Sequence, residues 1–149
     1  MLPKILRLLE EGKDVALVSD AGTPGISDPG RRLVAEAARK GYQIIPIPGP
    51  SALAAIISVS DIDLSRFSFF GFPPHKKGRE KFFRALALYS MPIILFESPH
   101  RLLRALTDIE RFFGSRYLNV GRELTKIHEE VFRGPVSEAK KYFAGKGVR

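Results

Sequence analysis

The chain has 149 residues, of which 44% are hydrophobic and 27% are charged, so it can bury a core and does not resemble a disordered chain. It has no cysteine and only three scattered histidines, which excludes disulfide bonds and argues against a metal site. No apolar run approaches the roughly 20 residues that a bilayer span requires, and no signal-peptide core is visible. We therefore expect a soluble cytoplasmic protein.

The net charge of +8 lies almost entirely in the second part of the chain. Residues 1–60 hold 7 Lys/Arg and 6 Asp/Glu, whereas residues 61–149 hold 17 and 10. A basic field of this size concentrates polyanions, of which nucleic acid is the commonest. A solvated basic surface explains the charge equally well.

The chain alternates helix and strand patterns, which predicts an α/β protein with largely parallel strand pairing. An amphipathic helical pattern begins at Leu2 and stops at Gly12. VALVS (15–19) and QIIPI (43–47) then predict short buried strands, because both are apolar runs between turn residues.

Two further helices are predicted before residue 60. Asp28 can cap a helix that has Pro29 in its first position and ends before Gly41, and Ser51 can cap another over ALAAIISV. The polar stretch SDIDLS (60–65) follows. It marks the predicted boundary between a first domain of residues 1–62 and a second of residues 63–149.

The second domain reads as strand, basic helix, strand, long helix, two strands and a last helix. The corresponding segments are RFSFFGF (66–72), PPHKKGREK and onward to 88, IILFE (93–97), 98–114, YLNVG (117–121), EEVFRG (129–134) and PVSEAKKYFAG (135–145).

Three loops follow the carboxyl ends of predicted strands: SDAGTPGISDPG, PGPSA and ESPHR. Ligands bind at this edge of open α/β sheets, and glycines such as Gly22 and Gly25 let backbone amides approach a ligand. Asp20 could accept hydrogen bonds from an amine or a hydroxyl. Alternatively, Asp20 and Asp28 only cap turns.

Two nucleotide signatures, the P-loop and G-x-G-x-x-G, are absent from the sequence. Ser98 stands between Glu97 and His100, but neighbours on one turn rarely form a catalytic triad. We interpret Ser98 and Ser51 as helix caps rather than nucleophiles.

Five motifs in order, VALVSDAGTPGISDPG, IPIPGPSA, FFGFPP, ILFESPHRL and GRELTKIHEEVFRG, resemble the ribosomal RNA small-subunit methyltransferase I family of the tetrapyrrole-methylase superfamily. The resemblance implies a two-domain α/β fold, with a parallel sheet in the N-terminal part and a mixed sheet in the C-terminal part. It implies a homodimer that binds S-adenosylmethionine between its domains. The implied reaction is methylation of a cytidine 2′-hydroxyl in 16S ribosomal RNA, free or in the small subunit.

The resemblance also implies cofactor-binding residues. They match onto Asp20, Ala21, Gly22, Thr23, Pro50, Ser51 and Ala52 of the first domain, and onto Glu97 and Leu124 of the second. S-adenosylmethionine carries a sulfonium, an ammonium and a carboxylate, so backbone amides with a few carboxylates suit it.

Methyl transfer to a hydroxyl requires near-attack geometry and a route for the proton. Candidate groups for that step are Glu123, Lys126 and Glu129, which could equally be surface ion pairs. Candidate RNA contacts are the cations Lys76, Lys77, Arg79, Lys81, Arg101, Arg104 and Arg122, which would orient the phosphate backbone.

Complete members of the family begin with a further strand and a TPIGNL-type loop, and they continue beyond GKGVR. We therefore expect both domains to be incomplete here, with exposed sheet edges. A non-catalytic RNA-binding fragment and a tetrapyrrole C-methyltransferase are the alternative functions, and a diphthamide-type protein substrate is a more distant one.

Overall fold

A computed structural model describes residues 1–19, 22–27 and 30–146 of the chain. The chain divides into two compact units, Met1–Ser51 (unit 1) and Ala52–Arg149 (unit 2). The sequence predicts the boundary later, after residue 62. The observed boundary is earlier than the predicted one because the helix after Ser51 and the polar stretch 60–65 both belong to unit 2.

Hydrogen bonds attach that polar stretch to unit 2. Ser60 Oγ donates to Asn119 Oδ1 (2.8 Å), and the Tyr117 hydroxyl donates to Asp61 Oδ2 (2.6 Å). The bonds from Tyr117 and from the Asn119 amide hold the pKa of Asp61 below its ordinary value. SDIDLS is therefore part of a packed unit rather than a linker.

Unit 1 contains the helices α1 (Leu2–Glu10) and α2 (Arg31–Arg39). Both confirm the helical patterns of the sequence. The predicted capping residues of α2, Asp28 and Pro29, lie outside the described residues.

The two strands predicted in unit 1 are not formed. Residues 15–19 and 43–47 make no strand pair within the part of the chain that the structure describes, and Val18 and Ile47 are 82% and 76% exposed. A buried parallel strand needs neighbours that pair its N–H and C=O groups and cover both of its faces. Neither segment has such neighbours among the described residues, so the prediction of buried strands here is wrong.

Unit 2 contains the remaining elements. They are α3 (Ala52–Ser58), β1 (Ser68–Phe69), α4 (Arg79–Leu86), β2 (Ile93–Ile94), a 3₁₀ turn (Pro99–Arg101), α5 (Leu102–Phe113), β3 (Tyr117–Arg122), β4 (Glu130–Pro135) and α6 (Val136–Gly145). β1 pairs with β2 in parallel, and β3 pairs with β4 antiparallel from Tyr117–Pro135 to Arg122–Glu130. The α/β class is confirmed, and among the described residues the parallel and antiparallel pairs of the C-terminal part form two separate two-stranded sheets rather than one mixed sheet.

β1 and β2 are shorter than their apolar runs predict. Backbone hydrogen bonds continue past the strands, from Phe70 N to Ile94 O (3.1 Å) and from Phe96 N to Gly71 O (2.9 Å). The chain bends at Gly71, where φ is +62°, a conformation that glycine adopts without strain. The bend ends the regular pairing.

The core of unit 2 lies between the two long helices and the β3–β4 hairpin. Leu106 of α5 and Val136, Ala139 and Phe143 of α6 are buried there. The apolar residues of α5 recur at helical spacing, so one face of the helix is covered. Each fully buried aliphatic or aromatic side chain stabilises the unit by about 1.5–3 kcal/mol.

Two side-chain hydrogen bonds join the C-terminal end of α6 to the β3–β4 hairpin. The Glu130 carboxylate, at the start of β4, accepts hydrogen bonds from Lys146 Nζ and from the Tyr142 hydroxyl. These donors hold the pKa of Glu130 below its ordinary value. The end of α6 is thus attached to the sheet by a charged pair that is largely shielded on the Glu130 side.

Candidate functional site

A cleft of about 240 Å³ opens in unit 2 where the end of β3 meets the start of α5. We call it the β3–α5 cleft. Its apolar wall includes Leu102 and Val120, and its polar lining is Glu97, Arg122 and Glu123. The structure thus brings together three predicted site residues that are up to 26 positions apart in the sequence.

Glu97 follows β2 and is nearly buried, with 8% of its side chain exposed. Its Oε1 accepts hydrogen bonds from the Ser98 N–H (2.9 Å) and from Arg101 Nε (2.7 Å). Its Oε2 lies 3.5 Å from Arg79 Nη1. The carboxylate is therefore compensated within unit 2, and binding of a cofactor amine by Glu97 stays a prediction.

Arg79 is buried, with 4% exposure, whereas the sequence predicts an RNA contact. Its Nε donates to Asp108 Oδ2 (2.7 Å), its Nη1 donates to Pro74 O (3.0 Å), and its guanidinium carbon lies 5.0 Å from the Phe83 ring centroid. A guanidinium enclosed in this way does not reach a phosphate. The prediction is wrong for Arg79, because the carboxylates of Asp108 and Glu97 draw its side chain inward.

The other predicted RNA-binding cations divide into two groups. Lys76, Lys77, Lys81 and Arg104 are exposed, and Arg104 Nη1 donates to His75 O (3.0 Å). Arg101 and Arg122 are four-fifths buried. Arg101 also contacts the His75 imidazole, and Arg122 Nη1 lies 3.9 Å from Glu130 Oε2. The side chains of the first group are open to solvent. In the second group, Arg101 pairs with Glu97 inside unit 2, and Arg122 lines the cleft.

The loop after β3 contains two residues in a strained backbone conformation. Glu123 and Thr125 have φ of +48° and +66°, which costs a non-glycine residue on the order of 1–3 kcal/mol. Glu129 Oε2 accepts the Thr125 N–H (2.6 Å), and Lys126 Nζ lies 3.2 Å from Glu123 Oε2. Of the three predicted catalytic groups, Glu123 lines the cleft, Lys126 pairs with it, and Glu129 holds the loop.

Gly121 is a cleft residue that the sequence reasoning missed. A Cβ at this position would lie 2.7 Å from Ile56 Cδ1 and 2.9 Å from Leu124 Cδ1, so glycine allows both side chains to pack against β3. An isolated glycine inside a strand pattern is the sequence signal for such a close approach. Phe143 also lines the cleft, and no local pattern predicts that.

In unit 1 the structure brings two predicted cofactor loops together. Thr23 Oγ1 donates to Pro50 O (3.3 Å). Gly22 has a φ of +78°, and a Cβ there would lie 3.4 Å from Pro50 O. Asp20 and Ala21 lie outside the described residues, and Ser51 and Ala52 stand where unit 1 ends and unit 2 begins.

Metal-binding clusters and membrane-spanning helices are both absent from residues 1–19, 22–27 and 30–146. In these ranges no group of three or more His, Asp or Glu side chains could hold a metal ion. No helix within them has the length and apolar character needed to cross a membrane.

The family model for tetrapyrrole (corrin/porphyrin) methylases matches residues 3–140 of the chain. The chain belongs to this family. The resemblance drawn from the sequence motifs is thereby confirmed at the level of the superfamily.

The names of individual relatives are more specific than the name of the family. The chain is 48% identical over 145 residues to the ribosomal RNA small subunit methyltransferase I of Thermotoga maritima, covering 97% of this chain and 65% of the relative. It is 48% identical to the protein of that name from Synechocystis (94% of this chain, 51% of the relative) and 39% identical to that of Neisseria meningitidis serogroup B (99% and 51%). The chain thus spans about half to two thirds of the length of these relatives.

Proposed function

We propose that the chain acts in S-adenosylmethionine-dependent methylation of small-subunit ribosomal RNA. The observation that carries the proposal is its 48% identity, over nearly its whole length, to a ribosomal RNA small subunit methyltransferase I. We further propose, from the motif resemblance, that the acceptor is a cytidine 2′-hydroxyl of 16S ribosomal RNA. A cytoplasmic homodimer belongs to the same proposal.

The residues of both units suit the chemistry of this cofactor. The Gly22–Thr23 and Pro50 loops of unit 1 present backbone groups at close range, with no side chain on Gly22. Within unit 2 taken by itself, the β3–α5 cleft has carboxylates beside an apolar wall. At about 240 Å³ the cleft is smaller than the roughly 300–1,000 Å³ of a typical ligand pocket, so it would hold only part of the cofactor or the acceptor.

Glu123 is the group that we assign to the acceptor hydroxyl. S-adenosylmethionine supplies an electrophilic methyl group, so the chain must position the hydroxyl and receive its proton. The Glu123 side chain lines the cleft and is held by Lys126, whereas Glu129 is engaged with the loop backbone. The strained backbone at Glu123 supports this role, because such strain concentrates at functional sites.

Calorimetric titration with S-adenosylmethionine tests the cofactor assignment. Thr23→Val removes the hydroxyl that bonds to Pro50 O and should weaken binding about 5- to 10-fold, the value of one hydrogen bond. Thr107→Val is the matched control, because its hydroxyl bonds within α5 (Thr107 Oγ1 to Leu103 O, 2.8 Å). Equal affinities for the wild type and Thr23→Val would remove this loop from the cofactor site.

Transfer of a labelled methyl group tests the reaction itself. The acceptors are 16S ribosomal RNA, the same RNA with 2′-deoxycytidine in place of cytidine, and a tetrapyrrole. We expect label only in the unmodified RNA, and a Glu123→Gln variant should transfer about 10²- to 10⁴-fold more slowly. Transfer to the tetrapyrrole alone would favour the C-methyltransferase alternative, and a folded chain that transfers to neither contradicts the proposal.

A further inference from the structure

Phe72 is an aromatic side chain exposed on a basic loop. It is 49% exposed, and the neighbouring Pro73 is fully buried. Its ring centroid lies 5.5 Å from that of Phe96, which in turn packs edge-on to Phe69 (4.9 Å). The Phe72 ring thus packs against Phe96 of unit 2, while about half of the residue's surface is exposed.

Three hydrogen bonds hold the backbone of this loop. Gly71 O accepts the Phe96 N–H (2.9 Å), Pro74 O accepts the buried Arg79 Nη1 (3.0 Å), and His75 O accepts Arg104 Nη1 (3.0 Å). The prolines restrict the backbone further. These contacts within unit 2 hold the loop in one shape, which lowers the entropic cost of binding.

Exposed cations follow Phe72 a few positions later in the sequence. Lys76 and Lys77 are exposed, and Lys81 is exposed on the first turn of α4. Proteins that bind single-stranded nucleic acid combine exposed aromatic rings, on which bases stack, with solvent-facing cations that contact the phosphates, and this segment of the chain carries both.

The loop is also connected to the β3–α5 cleft within unit 2. Arg101 contacts the His75 imidazole and donates through Nε to Glu97 Oε1, and Glu97 lines the cleft. Arg101 thus links the loop, through His75, to a carboxylate that lines the cleft.

We propose that Phe72 is a base-stacking platform for an unpaired nucleotide of the RNA substrate, with Lys76 and Lys77 binding the adjacent phosphates. This inference deepens the proposed function and rests on it for the identity of the RNA. The charge of the loop selects RNA over an apolar protein partner as the occupant of the ring.

The chain contains no tryptophan, so Phe72→Trp introduces a single tryptophan, whose fluorescence can be excited selectively at wavelengths that tyrosine does not absorb. Titration with a short oligocytidylate should quench its fluorescence, because the base stacks on the indole. Tyr89→Trp is the matched control: Tyr89 is 46% exposed and lies beyond the other end of α4. An oligonucleotide of the same length without bases supplies the phosphates alone and should not quench.

Substitutions then separate stacking from charge. Phe72→Ala and Phe72→Leu should each weaken binding of the oligocytidylate about tenfold, and Phe72→Tyr should retain it. None of the three should change the dependence of affinity on salt. The double variant Lys76→Ala, Lys77→Ala should reduce the slope of log affinity against log salt by about 1.4, because two phosphate contacts on a single strand are lost.

Four results would overturn the inference. They are wild-type affinity in Phe72→Ala, wild-type affinity in Phe72→Leu, no RNA binding by the folded wild-type chain, and quenching of the Phe72→Trp fluorescence by S-adenosylmethionine without RNA. A change of oligomeric state in Phe72→Ala at unchanged RNA affinity would also contradict it, by assigning the ring to a second copy of the chain.

The same data distinguish this inference from the proposed function. RNA binding that depends on Phe72, in a chain that neither binds S-adenosylmethionine nor transfers methyl groups, refutes the function and leaves the platform standing. Methyl transfer that does not depend on Phe72 refutes the platform and leaves the function standing.

Discussion

Removal of the buried guanidinium of Arg79 should destabilise unit 2 substantially. Arg79 and Glu97 are 4% and 8% exposed, and Arg79 Nε lies 2.7 Å from Asp108 Oδ2. Removing one partner of a buried ion pair costs about 3–5 kcal/mol, because the remaining charge stays without compensation. Glu97 keeps its bonds to Arg101 and Ser98, and Asp108 is partly exposed, so we expect the lower end, about 3 kcal/mol, for Arg79→Ala.

Thermal and urea unfolding measure this loss. For a domain of roughly 100 residues, 1 kcal/mol corresponds to about 4–8 °C, so a loss of about 3 kcal/mol should lower the Tm of unit 2 by about 12–24 °C. Arg79→Lys keeps the charge but loses the planar set of donors, so it should show an intermediate loss.

The control variant is Arg84→Ala on the same helix. Arg84 is 71% exposed and pairs with Glu80 at the surface, so its removal should cost less than about 1 kcal/mol. A double-mutant cycle with Asp108→Asn isolates the coupling between Arg79 and Asp108. An Arg79→Ala variant as stable as Arg84→Ala would refute the argument from burial.

Three further predictions concern stability. Because folding lowers the pKa of Glu130, its carboxylate should stabilise the fold at neutral pH, and this stabilisation should be lost as the pH falls below the ordinary pKa of 4.5 and through the folded-state pKa. The Tm of Glu130→Gln should therefore decline less steeply with acid than that of the wild type. Gly121→Ala should cost about 1–3 kcal/mol through overpacking, whereas Gly145→Ala, at an open helical position, should be neutral or stabilising. Val18→Thr and Ile47→Thr should each change the unfolding free energy by less than about 0.5 kcal/mol, since both side chains are exposed.

Each of these has a contrary outcome. A Tm profile in Glu130→Gln that falls with acid as steeply as in the wild type would show that other carboxylates dominate. A stable Gly121→Ala variant would mean that Ile56 and Leu124 move aside. A loss of 1 kcal/mol or more at position 18 or 47 would show that these segments are buried after all.

The helices of this chain were predictable because a helix satisfies its backbone hydrogen bonds locally. The apolar spacing along α5 and the glycine at 114 predict its face and its end, and the structure has both. Strands depend on partners elsewhere in the chain. The apolar runs at 93–97 and 117–121 find neighbours in unit 2, whereas equally apolar runs at 15–19 and 43–47 find none among the described residues.

The candidate site also has features that the sequence predicted and features that only the structure shows. The motifs identified Glu97, Arg122 and Glu123, and the structure places all three at one cleft. The burial of Arg79 was not predictable from its basic surroundings, because the carboxylate of Asp108 that binds it lies 29 positions away.

The sequence by itself determined the class of the fold, the helices and the family, because periodicity, turn residues and long motifs are local properties of the chain. The tertiary structure alone decided which charges face solvent and which are enclosed. That decision depends on the distance between side chains remote in sequence. It left Lys76 and Lys77 exposed on the loop that carries Phe72, and it enclosed Arg79 between two carboxylates.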